Sequence, residues 1–234
     1  MAEFQIRPAV DETQEFIEIA NDFSNPLDLV REAISNSYDA KATAIDIVFE
    51  VVKNYGESVL RITLTDNGTG MSAKQLQNFF DLGNSTRRGE AESIGEKGHG
   101  TKVYFNSSRI EVETSDGSEG HRAVMEYPLR KLYDREIPIA TVTPTHDLAT
   151  GTKITIYGYN NNRRDKFTHA ILKDYISWFT KHGSVEGQFA EFKRPVKLRL
   201  KGLGRDEFEN IEQGHYFPSD SADINKLFEQ YVVK

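Results

Sequence analysis

Three polar segments, far apart in the sequence, carry the side chains and glycines that a nucleotide site would need. The first covers residues 31–40 (REAISNSYDA), the second residues 66–71 (DNGTGM) and the third residues 95–101 (GEKGHGT). Each segment alone is a weak indication. Their order and spacing together favour an ATP site over the alternatives.

The first segment places a polar stripe on a helix. Glu32, Asn36 and Asp39 lie at positions i, i+4 and i+7, which share one helix face. A carboxylate can polarise a water, and an amide oxygen one turn away can ligate Mg²⁺. The plainer alternative is the solvated face of an amphipathic helix.

The second segment lies where a strand ends and a helix begins. Its glycines, Gly68 and Gly70, permit a positive φ or a close backbone approach. A plain strand-to-helix turn is one alternative, and the G-x-G-x-x-A dinucleotide fingerprint is another. We reject the fingerprint because the helix runs into a glycine-rich loop instead of a second parallel strand. Asp66 would also place a carboxylate where a pyrophosphate should lie, whereas it suits an amino group such as that of adenine.

The third segment predicts a phosphate cradle that differs from a P-loop. Residues 95–100 have the P-loop glycine spacing, but Thr101 precedes Lys102, which reverses the P-loop order. Glycine amides at the start of a helix still make an anion site, to which Lys97, Lys102 and the Thr101 hydroxyl would add. The alternative is a surface loop, and we interpret His99 as a loop residue rather than a catalyst.

The surrounding elements are mixed helices and mostly antiparallel strands, which is typical of the α+β class. The patterns predict a helix capped by Asn25 that begins at Pro26, another that opens near Gly100, and a functional loop over residues 82–100. Further helices are predicted at 13–22, 72–81 and 164–181, and strands at 44–52, 59–65, 108–115, 121–127, 138–143, 152–158 and 194–201.

Composition narrows the functional classes. The 234 residues are 38% hydrophobic, which is enough for one large domain or two small ones. A net charge of −7 argues against a general nucleic-acid binder, and zero cysteines exclude disulfides and thiolate metal sites. We find no signal-peptide pattern and no apolar stretch that would span a bilayer. The expectation is a soluble, cytoplasmic protein with no membrane partner.

Together the segments resemble the GHKL superfamily, which contains gyrase B, the ninety-kilodalton heat-shock chaperones, histidine kinases and MutL, with the MORC ATPases as relatives. The E-x-x-x-N-x-x-D-A pattern at residues 32–40 is very close to the chaperone and MutL pattern. Residues 66–71 match the adenine-binding box, and residues 95–100 match the lid-hinge box. Residues 151–156 are similar to the strand whose threonine lies beside the adenine aspartate. Histidine kinases are the poorest match because they lack the glutamate.

This resemblance implies the Bergerat fold, an α/β sandwich with a mixed, mostly antiparallel sheet, helices on one face and a lid over ATP. It covers roughly residues 10–200, so we expect an ATP-binding domain at 1–200 and a C-terminal extension of unknown role at 201–234.

The resemblance also implies a role for each matching residue. Asp66 would accept a hydrogen bond from the adenine amine with support from Thr152, and Met71 would pack on the base. Asn36 would ligate Mg²⁺, and Glu32 would orient and deprotonate the attacking water. The implied nucleotide contacts are Asn36, Asp39, Ala40, Asp66, Gly68, Gly70, Met71, Asn84, Ser85, Thr86, Lys97, Gly98, His99, Gly100, Thr101 and Thr152.

The implied ligands are ATP or ADP with Mg²⁺, and the implied outcome is lid closure with self-association on ATP binding. In gyrase-, chaperone- and MutL-type enzymes, a lysine or arginine from a following domain reaches the γ-phosphate, a kind of contact worth ~10³–10⁵ in rate. We therefore expect slow hydrolysis, and a protein partner or downstream domain that supplies this charge.

Two alternatives remain open at the sequence level. The chain could be an ATP-gated interaction module without turnover, or a nucleic-acid remodelling component like MutL or MORC proteins. The second is suggested by a basic run, although we interpret that run first as the exposed face of an edge strand. The run consists of Lys193, Arg194, Lys197, Arg199, Lys201 and Arg205.

Overall fold

The computed structural model describes residues 11–54, 56–81, 100–184 and 194–214. The helices are α1 (Glu12–Asn21), α2 (Asp28–Asp39), α3 (Ala73–Phe80), α4 (Pro128–Tyr133) and α5 (His169–Phe179), with 3₁₀ helices at Gly100–Phe105, Tyr159–Asn162 and Lys181–Gly183. The strands are β1 (Ala44–Asn54), β2 (Glu57–Asp66), β3 (Arg109–Ser115), β4 (Gly120–Glu126), β5 (Ala140–Pro144), β6 (Gly151–Tyr157), β7 (Lys197–Lys201) and β8 (Glu209–Ile211).

The strands form one sheet in the order β5-β4-β3-β6-β2-β1-β7-β8. Among these described strands, β1 and β7 run parallel and every other neighbouring pair is antiparallel. The predicted α+β class with a mixed, mostly antiparallel sheet is therefore confirmed.

The alternation of side chains gives the sheet one buried and one wet face. Ile47 of β1 lies opposite Leu64 of β2, which lies opposite Ile154 of β6, and all belong to the core. The buried residues of α2, α3 and α5 join the same core, so the helices pack on this face. The other face carries ion pairs between neighbouring strands, such as Lys153–Glu113 at 2.7 Å.

Two helix starts differ clearly from prediction. The helix predicted at 164–181 covers only His169–Phe179, because Thr168 caps its start by accepting a hydrogen bond from the Ile171 N–H. The helix predicted from Pro26 begins instead at Asp28, because Asn25 forms the preceding turn: its backbone oxygen accepts from the Asp28 N–H at 2.9 Å and its side chain from the Leu27 N–H at 3.0 Å. The prediction of α3 is confirmed, and Ser72 and Gln75 form a capping box at its start.

Three arginines of the basic run are engaged within the fold. Arg199 is paired with Asp46, Arg205 with Glu209 at 3.1 Å, and the Arg194 guanidinium donates to the Tyr38 carbonyl at 2.7 Å. The prediction of an edge strand is wrong, because β7 lies between β1 and the short strand β8. Lys193 lies outside the described residues.

Strand β8 brings the end of the described chain into the core. Ile211 pairs with Leu198 of β7 and is buried in the core cluster. Residues 215–234 lie outside the described residues, so the role of the C-terminal extension and the domain division at residue 200 stay predictions. Within the described ranges, no helix has both the length and the apolar character required to cross a bilayer.

Candidate functional site

A buried carboxylate lies at the end of β2. Asp66 Oδ1 accepts the Gly68 N–H at 2.8 Å, and Oδ2 accepts the Ser37 hydroxyl at 3.1 Å. Burial raises the pKa of Asp66, while the hydrogen bonds from Gly68, Ser37 and the Thr152 backbone lower it in part. The carboxylate is held in a fixed orientation, and each oxygen keeps a lone pair for a further donor.

The turn after Asp66 requires its glycines. A Cβ on Gly68 would press against the methyl group and carbonyl of Ala40 at 2.7 Å. Gly70 has φ +65°, and a Cβ there would collide with the Ser115 carbonyl. The Thr69 N–H donates to the Ala40 carbonyl at 2.8 Å, so the end of α2 and this turn are held together.

Two threonines from neighbouring strands support the turn from below. The Met71 N–H donates to Thr114 Oγ1 at 2.9 Å, and Thr114 Oγ1 lies 3.0 Å from Thr152 Oγ1. The Thr114 hydroxyl also donates to the Gly151 carbonyl at 3.0 Å, which leaves Thr152 as the donor of the pair. Thr152 lies opposite Asp66 in the β2–β6 register. Its hydroxyl acts on Thr114, while its backbone N–H acts on Asp66.

The polar face of α2 carries the candidate base. Glu32 is partly buried, and its side chain lies 3.4 Å from the Arg31 guanidinium, which also pairs with Asp28 at 3.0 Å. Burial raises the pKa of Glu32, and Arg31 lowers it by a smaller amount. Asn36 lies one turn further on, and Asp39 is the last residue of the helix; both are partly exposed.

The 3₁₀ helix Gly100–Phe105 closes the site beside α2. Gly100 lies so close to Glu32 that a Cβ would collide with the carboxylate. The Thr101 hydroxyl donates to the Phe79 carbonyl at 2.6 Å, and the Lys102 ammonium donates to the same carbonyl and to Thr101 Oγ1, both at 2.9 Å. These side chains face the end of α3, so backbone amides are the donors left for an anion at this point.

Lys102 is fully buried in this position. Burial lowers its pKa to about 7, although the charge of Asp81 raises it in part. The sequence predicted that Lys102 would add to a phosphate cradle. The structure shows instead a lysine that binds the last turn of α3 to the 3₁₀ helix.

The structure thus brings the predicted residues together in two groups. One group surrounds Asp66, and the other pairs Glu32 of α2 with Gly100 of the 3₁₀ helix. The rest of the predicted cradle and lid contacts lie outside the described residues. These are Asn84, Ser85, Thr86, Lys97, Gly98 and His99.

Three residues in or beside the candidate site were not predicted from the sequence. Ser37 is a buried serine on the core side of α2, and its position among apolar neighbours was a usable signal. Thr114 follows the strand alternation and gave no signal of its own. Tyr104 is fully buried, and its hydroxyl has no hydrogen-bond partner among the described residues.

The described residues fit Mg²⁺ better than a metal that requires several protein ligands. Within the described ranges, no group of three or more His, Cys, Asp or Glu side chains could hold a metal ion. Mg²⁺ usually keeps several waters and takes one or two protein oxygens together with substrate phosphates. A single amide oxygen, that of Asn36, is compatible with this mode.

Comparison with protein families gives a match over most of the chain. The family model described as "Histidine kinase-, DNA gyrase B-, and HSP90-like ATPase" matches residues 25–164. This range contains α2, the glycine turn after β2, the 3₁₀ helix and β6, which are the elements that form the site.

Curated relatives are similar over more than half of the chain. The chain is 29% identical over 151 residues to the DNA mismatch repair protein MutL of Fervidobacterium nodosum, which covers 61% of this chain and 23% of MutL. It is 26% identical to the chaperone protein HtpG of Desulfotalea psychrophila, covering 77% of this chain and 32% of HtpG. It is 24% identical to the protein MICRORCHIDIA 5 of Arabidopsis thaliana, covering 82% of this chain and 32% of that protein. The chain spans about a third or less of these relatives.

Proposed function

The chain belongs to the family of histidine kinase-, DNA gyrase B- and HSP90-like ATPases, and from this premise we propose that it binds Mg·ATP and hydrolyses it slowly. The observation that carries this proposal is the oriented, buried carboxylate of Asp66, held by the Gly68 N–H and the Ser37 hydroxyl beside the polar face of α2.

Adenine recognition follows from the chemistry of Asp66. An ionised carboxylate only accepts hydrogen bonds, so it selects a donor such as the exocyclic amine of adenine. Because Asp66 is already desolvated and oriented, little reorganisation is needed when the amine arrives. Gly70 leaves space at the turn, and Met71 offers an apolar surface to the base.

Hydrolysis requires a base beside the terminal phosphate, and we assign that role to Glu32. Its carboxylate takes a proton from a water, the water oxygen forms a bond to the γ-phosphorus, and the bond to the ADP oxygen breaks. Because its pKa is raised, the pKa of Glu32 lies closer to neutral pH, which favours general-base catalysis. The neighbouring Arg31 holds the Glu32 carboxylate in place, and the positive charge of Arg31 is shared with Asp28.

The Asn36 side-chain oxygen would hold Mg²⁺, which when bound neutralises charge on the phosphates. Backbone amides at the start of the 3₁₀ helix would bind phosphate oxygens, because the Thr101 hydroxyl is engaged by Phe79. Segment 82–99 would serve as the lid over the nucleotide.

The slow rate follows from the cations that the described residues place at the site. Arg31 is shared by two carboxylates and Lys102 is buried against α3. A positive charge on the transferred phosphoryl group is worth ~10³–10⁵ in rate in arginine-finger enzymes. We propose that a partner or downstream domain supplies it, and that ATP binding favours self-association of the chain. Three arginines of the basic run are engaged within the fold, which weakens the case for a nucleic-acid function.

The test is calorimetric titration of ATP and ADP into the purified chain, with Mg²⁺ and with EDTA. We expect micromolar-range binding that Mg²⁺ strengthens, together with slow release of phosphate from ATP. Folded protein that binds neither nucleotide would overturn the proposal. Binding with no turnover above a Glu32→Ala variant would instead identify an ATP-gated interaction module.

A further inference from the structure

Tyr104 has a buried hydroxyl that nothing in the fold of the described residues explains. The side chain is fully buried, and its ring stacks on Phe79 with centroids 5.9 Å apart and an interplanar angle of 18°. The hydroxyl has no hydrogen-bond partner among the described residues. Leaving a buried donor unsatisfied costs about 1–3 kcal/mol, so a phenylalanine would serve the stack better.

The hydroxyl lies under the reacting end of the site. Tyr104 belongs to the 3₁₀ helix whose first residue, Gly100, abuts the Glu32 carboxylate. The Asn36 side chain lies close to the Tyr104 hydroxyl, although the two do not form a hydrogen bond of good geometry in this structure, and the charge of Glu32 also acts on Tyr104. A tyrosine hydroxyl with the ordinary pKa of 10 already keeps its proton at neutral pH, and burial raises the pKa of Tyr104 further, so the hydroxyl remains a donor.

Other unpartnered buried atoms among the described residues differ in kind. Arg109 Nε, His121 Nε2 and Arg194 Nε belong to side chains that carry another polar atom. The phenol of Tyr104 has one polar atom only. Its position therefore indicates a donor that obtains its acceptor in another state of the site.

We infer that Tyr104 is a positioning residue for Asn36: its hydroxyl donates to the Asn36 side-chain oxygen and fixes that oxygen toward Mg²⁺. This inference rests on the proposed function. An amide oxygen has two lone pairs, so it can accept from Tyr104 and ligate a cation together. Donors behind a metal ligand typically change metal affinity or activity 10–100-fold when removed.

The experiment uses Tyr104→Phe, which removes the hydroxyl and keeps the ring on Phe79. The readout is the ratio of ADP affinities measured with Mg²⁺ and with EDTA, which reports metal binding without turnover. We expect this ratio to fall about tenfold, with ADP affinity in EDTA unchanged. Tyr133→Phe removes an exposed hydroxyl elsewhere on the protein and serves as the matched control.

A double-mutant cycle separates positioning from a structural role. In an Asn36→Ala background, Tyr104→Phe should have no further effect on the Mg²⁺ ratio, because the oriented group is absent. A purely structural hydroxyl would instead change thermal stability and leave the ratio alone. An unchanged ratio in Tyr104→Phe overturns the inference but leaves the proposed function intact. Loss of nucleotide binding by the wild type overturns the proposed function itself.

A second measurement needs no variant. In a crystal structure of the wild-type chain with Mg·ADP, we expect Tyr104 Oη about 2.7 Å from Asn36 Oδ1. A hydroxyl that bonds a different group, or still has no partner, would contradict the inference.

Discussion

In two regions of this domain, the pKa values of carboxylates are shifted in opposite directions. In the candidate site, burial raises the pKa of both Glu32 and Asp66. In strand β8, Glu209 accepts hydrogen bonds from Lys173 at 2.6 Å and His169 at 2.7 Å and pairs with Arg205 at 3.1 Å. The hydrogen bonds from Lys173 and His169 lower the pKa of Glu209 to about 2.

The difference indicates what each region is for. The charges around Glu209 are matched within the fold, so they stabilise the attachment of β8 and its flanks to α5. Among the described residues, Glu32 pairs with Arg31, which it shares with Asp28, and Asp66 is held by neutral donors. Both carboxylates are therefore desolvated with little compensating positive charge, which costs stability. Such groups are typical of functional sites, because the ligand completes the interactions that the fold leaves open.

Replacing the candidate base gives the largest expected effect. Glu32→Gln should lower phosphate release from ATP by about 10²–10⁴-fold, because the amide cannot accept the proton of the attacking water. ADP affinity should stay near the wild-type value. Single-turnover measurement of phosphate release, with affinity from calorimetry, separates the two quantities.

The same variant should be more stable than the wild type at neutral pH. The pKa of Glu32 lies above its ordinary value of 4.5, so the folded state binds the proton more tightly than the unfolded state. Its stabilising contribution is full below pH 4.5 and is lost as the pH rises through the folded pKa. The melting temperature of Glu32→Gln should therefore exceed the wild-type value at pH 7 by more than at pH 4. Equal melting curves at both pH values would contradict this assignment.

Replacing Asp66, the proposed adenine contact, gives the next largest expected effect. Asp66→Asn should weaken ADP binding about 100-fold in calorimetry, since the amide places a donor against the Ser37 hydroxyl, the Gly68 N–H or the adenine amine. Glu209→Gln is the matched control, because it also exchanges a carboxylate for an amide and should bind ADP normally. Equal losses in both variants would indicate damage to the fold instead of the site.

Most of the elements around the site were predictable, because the alternating hydrophobicity of the long strands and the helical periodicity of α2 are strong sequence signals. Asp66 at the end of β2 and Glu32 on the polar face of α2 were proposed as site residues from the motifs on those elements, and their roles stay predictions. Tyr104 and Ser37 were not assigned roles, because their contacts exist only after distant segments pack together. Strand β8 spans three residues and α4 spans six, which is too short for a periodic pattern. The one local signal for α4 is Pro128 in its first turn, since Tyr127 before it has φ +49° and gives no side-chain cap.

The buried lysine gives a smaller, pH-dependent effect. The folded pKa of Lys102, about 7, lies below its ordinary value of 10.5, so the unfolded state binds more protons between these values. Stability should rise by about 2 kcal/mol from pH 7 to pH 9, and Lys102→Met should lose this rise. Urea unfolding at the two pH values tests it, with the exposed Lys131→Met as control. A rise that persists in Lys102→Met would mean that another group titrates.

The paired carboxylate gives the smallest effect and the opposite sign to Glu32. Glu209→Gln should lower the free energy of unfolding by about 1 kcal/mol at pH 7, since its partners are partly exposed to solvent. Because the folded pKa of about 2 lies below the ordinary 4.5, this contribution is present above pH 4.5 and is lost as the pH falls toward 2. Denaturant unfolding of the variant and wild type should therefore converge on acidification. If Glu209→Gln were stabilising at pH 7, as expected for Glu32→Gln, the contrast between the two regions would be wrong.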